Sequence, residues 1–135
     1  MYVLDTDTLS NLMKRSTSPT LVAKLATVPV EAQFTTSITL GELLYGAYRR
    51  SEHSSVLLAR IETVLTANLP ILPFDAAAAR LYGPLRADLE RMGTPLAEAD
   101  LRIAAITLAE NLTLITGNIR HFQRVPGLRI ENWIA

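Results

Sequence analysis

Short apolar runs of β character alternate along this chain with longer stretches of helical periodicity, and that alternation constrains the fold more than any other feature. Tyr2-Val3-Leu4, Gln33-Phe34-Thr35-Thr36, Ile71-Leu72, Leu112-Thr113-Leu114-Ile115 and Leu128-Arg129-Ile130 read as strands. A helix is expected to start after Asp7 or Thr8, either of which would cap it, and another at Pro19, a residue tolerated in a first turn. Near 39–50, Leu40, Leu43, Leu44 and Ala47 fall on one helical face, and Leu57, Ile61, Val64 and Leu65 mark a further amphipathic helix. Residues 75–91 look helical, with a kink or break expected at Gly83-Pro84. After a turn at Gly93-Thr94-Pro95 come a strongly apolar helix over 98–110 and a short one over 118–122. Strands separated by helices imply crossover connections, and hence a parallel sheet covered on both faces. The expected fold is α/β: a three-layer α/β/α sandwich around a short, mainly parallel sheet. No internal repeat, low-complexity tract or linker divides the chain, so 1–135 is read as one domain.

The composition removes most chemistries. Cysteine is absent, which excludes disulfides, thiol catalysis and thiolate-bound metals. His53 and His121 are the only histidines, too few for a histidine metal site. Thirteen Lys and Arg balance thirteen Asp and Glu, so bulk charge does not advertise a polyanion-binding surface. The cations are mostly Arg, with only Lys14 and Lys24 as lysines. Asp5 ends the opening apolar run before a signal-peptide core forms, and no stretch has the ~18 apolar residues of a membrane span. A cytoplasmic protein without a membrane association is expected.

In parallel sheets, sites form beyond the carboxyl ends of the strands. Asp5 and Asp7 follow the first strand directly, and Glu42 is placed in the first turn of the helix after the second. Asp100 opens the apolar helix, and Thr116 and Asn118 sit at the exit of the strand that follows it. All these acids have apolar neighbours, from which partial burial is expected. Taken singly, Asp7, Glu42 and Asp100 read as acids favoured by a helix N-terminus. That reading leaves Asp5, which ends a strand, without an account. Several carboxylates converging without a cation repel one another and shift their pKa values up. A divalent metal relieves that repulsion, and oxygen-only ligands select Mg²⁺ or Mn²⁺. Carboxylate-held Mg²⁺ most often serves phosphate chemistry.

The opening Leu4-Asp5-Thr6-Asp7-Thr8-Leu9 matches the short signature of haloacid-dehalogenase-like phosphatases, with Asp5 as phospho-acceptor. Those enzymes, like receiver domains, need a downstream Lys, and none follows Lys24 here. A second resemblance spans nearly the whole chain. Tyr2 to Ser10, Ser37-Ile38-Thr39-Leu40-Gly41-Glu42-Leu43-Leu44-Tyr45-Gly46-Ala47, Leu96 to Ala105, and Leu114-Ile115-Thr116-Gly117-Asn118-Ile119-Arg120-His121-Phe122 with Val125-Pro126-Gly127-Leu128 are four blocks in order. Together they closely resemble the PIN-domain ribonuclease toxins of the VapC type.

The resemblance implies Asp5 and Asp100 as direct metal ligands and Glu42 as the acid that completes the site, directly or through water. It implies supporting roles for Asp7, which also suits a helix cap, and for the Thr116 hydroxyl. Asn118 stands where many relatives carry a fourth acid, so the set has one charge fewer. The implied activity is Mg²⁺- or Mn²⁺-dependent hydrolysis of a phosphodiester in structured RNA (tRNA or rRNA), leaving a 5′-phosphate and a 3′-hydroxyl. The implied partners are a cognate antitoxin, which alone contacts DNA, and a second copy in a homodimer. A PIN-like fold used only to bind protein is the non-enzymatic alternative, against which the retained acids speak.

Other residues are read more plainly. Glu98 is expected to be exposed in the first turn of its helix. Arg49-Arg50 suits either a phosphate or a helix C-terminus. Arg120, His121 and Arg124 are read as solvated surface, Trp133 as packing on the last strand, and Tyr45, Tyr48 and Tyr82 as interface or core-edge residues.

Overall fold

The computed structural model describes residues 1–50, 52–65 and 69–135. Its elements run in the expected alternation. The strands are β1 (Tyr2–Leu4), β2 (Gln33–Thr36), β3 (Ile71–Leu72), β4 (Thr113–Ile115) and β5 (Arg129–Glu131). The helices are α1 (Thr6–Leu12), α2 (Pro19–Ala26), α3 (Ser37–Tyr48), α4 (Ser54–Leu65), α5 (Ala76–Arg91), α6 (Glu98–Ala109) and α7 (Ile119–Phe122), with a single 3₁₀ turn at Val30–Ala32. The strands form one sheet in the order β3-β2-β1-β4-β5, and every neighbouring pair is parallel. Tyr2 lies opposite both Gln33 and Thr113, and Leu4 opposite Ile115.

The period of two along these strands distributes the core. Val3 and Leu114 point to one face, where they pack with Leu85, Leu89, Leu101, Ile103 and Phe122 from α5, α6 and α7. Leu4 and Ile115 point to the other, where Leu9, Leu21, Leu43 and Ile61 from α1, α2, α3 and α4 cover them. Both faces are therefore apolar and both are covered, as expected of a parallel sheet. Trp133 does more than pack the last strand. It is buried in the second cluster, 4.9 Å from the Tyr2 ring, and its indole N–H donates to Glu131.

Several local expectations are corrected. Asp5, not Asp7 or Thr8, caps α1: extended at φ −82° and ψ −179°, it accepts the Thr8 N–H on its side chain. Thr36 caps α3 in the same way, so that helix begins at Ser37 and Glu42 falls in its second turn, not its first. Gly83-Pro84 does not interrupt α5, which is continuous from Ala76 to Arg91. Both residues lie on the exposed side of that helix, so the donor missing at Pro84 is lost on the water-facing side while Leu85 and Leu89 keep the packed side intact.

The Thr36 cap is testable. Its hydroxyl oxygen accepts the buried Thr39 N–H at 3.1 Å. Thr36→Val keeps the side-chain shape and leaves that donor unpaired, so urea unfolding should show a loss of about 1–2 kcal/mol.

Candidate active site

The order of the sheet sets the position of the site. The chain builds outward from β1 through β2 to β3, then returns to place β4 on the other side of β1. The gap between β1 and β4 is the switch point at which ligands bind beyond the carboxyl ends of the strands. Asp5 lies there. Its backbone N–H continues the ladder to the Ile115 carbonyl at 3.1 Å, and the Thr8 hydroxyl donates to the same carbonyl at 2.9 Å. The Asp5 carboxylate accepts the Thr8 N–H at 2.9 Å and is only 4% exposed.

A cleft of about 120 Å³ opens in front of it, lined by Asp5, Thr6, Asp7, Glu42, Asp100, Ile103, Asn118 and Phe122. The predicted Asp5, Asp7, Glu42, Asp100 and Asn118 thus share one concavity, each delivered by a different route. Asp5 ends β1, Asp7 and Glu42 come from α1 and α3, Asp100 from the start of α6, and Asn118 from the loop after β4. Thr116 is buried near Asp5, whose ionised form it favours, and its hydroxyl accepts the Asn118 N–H at 2.9 Å. Partial burial of every acid is not what the structure shows. Asp5 is buried and Asp100 half-buried, whereas Asp7 and Glu42 are exposed, because they leave their helices on the open side of the cleft.

The electrostatics follow from this layout. Burial pushes the Asp5 carboxyl up from 3.8 to about 6; Thr116 and Thr8 oppose the shift, and the negative charge of Asp7 adds to it. Asp100 is also raised, first by burial and then by the charge of Glu42, with His121 acting against it and Asp7 with it. The acids therefore feel one another across the cleft. Glu42 is held at the rim by the Thr6 hydroxyl, which continues through Thr39 to Thr36 in a chain of side-chain contacts at 3.3 Å each. Thr6, Thr39, Ile103 and Phe122 are site residues that sequence reasoning missed. All four stand in the blocks that carry the family resemblance, but none of them was given a role in the site.

Glu98 is drawn away from the cleft. It pairs with Arg86 at 3.2 Å and Arg102 at 3.0 Å and accepts the Tyr82 hydroxyl, and these partners hold its carboxyl below the usual range. It is exposed in the first turn of α6, as expected. His121 is exposed but not idle: its Nδ1 lies 2.7 Å from the Asn118 side-chain amide. Arg124 donates to the Pro95 carbonyl at 3.0 Å, and Arg49 stacks over the exposed Tyr45 ring at 5.7 Å. Tyr45 and Tyr48 are 68% and 65% exposed on α3. Among the described residues, no helix is long and apolar enough to cross a membrane.

Residues 2–128 match the family of PIN domains. Over 132 residues, 98% of this chain and 97% of the relative, the sequence is 36% identical to the tRNA(fMet)-specific endonuclease VapC of Salmonella typhimurium. The chain belongs to the PIN-domain family, among proteins of the VapC type. This PIN domain is also 35% identical over 133 residues to ribonuclease VapC2 of Haemophilus influenzae, covering 98% of each chain. Its fold superposes on the crystal structure of DNA-bound VapBC from Salmonella typhimurium with a TM-score of 0.89, at 35% identity and covering 98% and 97% of the two chains.

PIN-domain nucleases of this type generally depend on a divalent metal. The donors of this PIN domain fit such an ion by chemistry: four carboxylates, the Asn118 amide and the Thr6 hydroxyl, without histidine or sulfur ligands in the cleft lining. Mutual repulsion within the cleft, felt at Asp100, is what a cation there would offset. As the side chains stand, no three Asp, Glu, His or Cys among the described residues form a ligand set. Glu42, bonded to Thr6, forms a wall of the cleft.

Proposed function

We propose that this PIN domain is the toxin of a toxin–antitoxin pair: an endoribonuclease that hydrolyses a phosphodiester in structured RNA, tRNA or rRNA. The observation that carries the reading is the convergence of Asp5, Asp7, Glu42, Asp100 and Asn118 on one cleft at the β1/β4 switch point. Residues 1–135 act as one domain, in the cytoplasm. A cognate antitoxin holds it inactive and supplies the contact to DNA, and the working toxin is a homodimer.

Asp5 and Asp100 would hold the metal, Mg²⁺ or Mn²⁺, and Glu42 would complete the set directly or through water. Bound there, the ion supplies positive charge against the phosphoryl oxygens and acidifies water. The residues do the rest. The carboxylates of the cleft accept the proton of the attacking water, whose oxygen bonds to phosphorus as the bond to the 3′-oxygen breaks, and the departing 3′-oxygen takes a proton from solvent water. The Thr6 hydroxyl fixes the Glu42 carboxylate, the Thr8 N–H fixes that of Asp5, and the Thr116 hydroxyl fixes the Asn118 backbone. Ile103 and Phe122 close the back of the cleft to water. The products are a 5′-phosphate and a 3′-hydroxyl.

Two measurements test this. A chelator should stop cleavage of total tRNA and rRNA by the purified protein, and added Mg²⁺ or Mn²⁺ should restore it. Sequencing of RNA ends after brief expression should reveal new 5′-phosphate ends at one loop, absent when the antitoxin is co-expressed. Normal growth without new ends sinks the toxin reading. A trapped aspartyl-phosphate on Asp5 would instead move the protein to the phosphatases, and tight binding of a small partner without any activity would favour a protein-binding module.

A further inference from the structure

The acid cleft is not closed on the side of α3. A groove of about 410 Å³ between α1, α3 and α4 shares Thr6 and Glu42 with it and continues away from them. Lys14, Arg49, Arg50 and Arg60 line this groove, and Glu42, at the junction, is the one acid among its described lining residues. The ion pairs seen among the described residues engage Arg86, Arg91 and Arg102, and none of these four cations. Four cations without a carboxylate partner, side by side in a concavity, attract an anion. The floor of the groove carries a second sign. Gly46, in the last turn of the twelve-residue α3, lines the groove, and a Cβ built on it meets nothing within 4 Å. No close approach of another segment requires a glycine there. A side chain longer than that of Ala at this position would enter the groove.

We propose that this groove carries the RNA strand on one side of the scissile phosphate, its backbone phosphates held by Lys14, Arg49, Arg50 and Arg60. The inference rests on the ribonuclease reading of the cleft. Whatever lies in the groove adjoins the occupant of the cleft at Thr6 and Glu42, and a polynucleotide is continuous through that junction. Arg suits this task because its planar fork meets phosphate oxygens in pairs. The contacts are to the backbone, so they position any sequence and do not choose one.

The test uses the full chain with two substrates, a single-stranded RNA oligonucleotide and bis(p-nitrophenyl) phosphate, a diester with no further phosphate to place in the groove. For the double variant Lys14→Gln, Arg50→Gln, KM for RNA should rise about tenfold with kcat nearly unchanged, because uniform phosphate binding is lost. The logarithmic salt dependence of RNA binding, measured in an Asp100→Asn background to prevent cleavage, should become shallower by about 0.7 per cation removed. Hydrolysis of the small diester should not change. Gly46→Leu should give the same split by obstruction, with Gly46→Ala as the control that keeps the groove open and raises Tm. Equal losses on both substrates, or unchanged RNA kinetics, would overturn the proposal. So would intact RNA binding accompanied by lost binding of an acidic peptide, which would assign the groove to a protein partner. If the unsubstituted protein hydrolyses neither substrate with Mn²⁺ present, the cleft reading has failed, and the salt dependence of RNA binding still decides the groove.

Discussion

Asp5→Asn is expected to abolish RNA cleavage and, at neutral pH, to raise the stability of the protein. The loss of activity should reach about a thousandfold or more, equivalent to about 4 kcal/mol of transition-state stabilisation, because the carboxylate proposed to hold the metal loses its charge. The gain in stability follows from burial. Asp5 ionises near 6 in the folded protein against an ordinary value of 3.8. Between those values the folded state binds more protons than the unfolded state, so wild-type stability falls as pH rises from about 4 to about 6 and is level above. The penalty at pH 7 is on the order of 3 kcal/mol for a shift of this size. Asp100, raised in the same direction, adds to the same slope. The neutral Asn escapes the Asp5 part of the penalty and keeps an oxygen to accept the Thr8 N–H, so the cap of α1 survives. Thermal melts over pH 4–8 check this: the variant should melt higher at pH 7 and show a flatter pH profile. Added Mn²⁺ should raise the Tm of the wild type and have much less effect on the variant, since an ion that binds only the folded state stabilises it by mass action. A lower Tm for Asp5→Asn at pH 7 would show that its neighbours already compensate the buried charge.

How much of this was legible in the sequence depends on how local the determinant is. The five strands were readable because each is a short run of β character between helical stretches, and β1, β2 and β3 have the expected bounds. The parallel, doubly covered sheet followed from their spacing alone. Capping was misjudged at α1 because Asp5, Asp7 and Thr8 are all acceptable caps, and only the pairing of Asp5 with Ile115 in the sheet fixes which one is left extended. Gly83-Pro84 read as a break because the sequence does not say that both face water. The acids that line the cleft were legible because each was placed after a strand or near the start of a helix, although Glu42 lies a turn further into α3. Their burial was not, because Leu43 and Leu44 beside Glu42 describe the other side of α3 and not the side Glu42 occupies. The partners of Glu98 were beyond reach for a different reason. Tyr82 and Arg86 come from α5, and nothing local announces that α5 lies along α6.

Phe122 joins the packing to the chemistry, and Phe122→Ala is the substitution expected to cost the most stability. Its ring is 1% exposed, packs with the core under α5 and α6, and forms the inner wall of the acid cleft with Ile103. It also belongs to α7, a helix of four residues, too short to hold itself without a buried anchor. Removing the ring should cost about 3–5 kcal/mol in urea unfolding and lower Tm by roughly 10–20 °C. Phe122→Leu retains most of the apolar volume and should cost considerably less. Activity should separate the two variants further. Asn118 precedes α7, so loss of the anchor releases it from the cleft, and cleavage by Phe122→Ala should fall at temperatures where the protein is still folded. The same cavity admits water behind Asp5. Because burial is the largest cause of the raised Asp5 pKa, the slope of stability between pH 4 and 6 should flatten in Phe122→Ala as it does in Asp5→Asn, while Phe122→Leu keeps the wild-type slope. A wild-type slope in Phe122→Ala would mean that β1 and α1 alone keep Asp5 dry, and that the apolar wall contributes only packing.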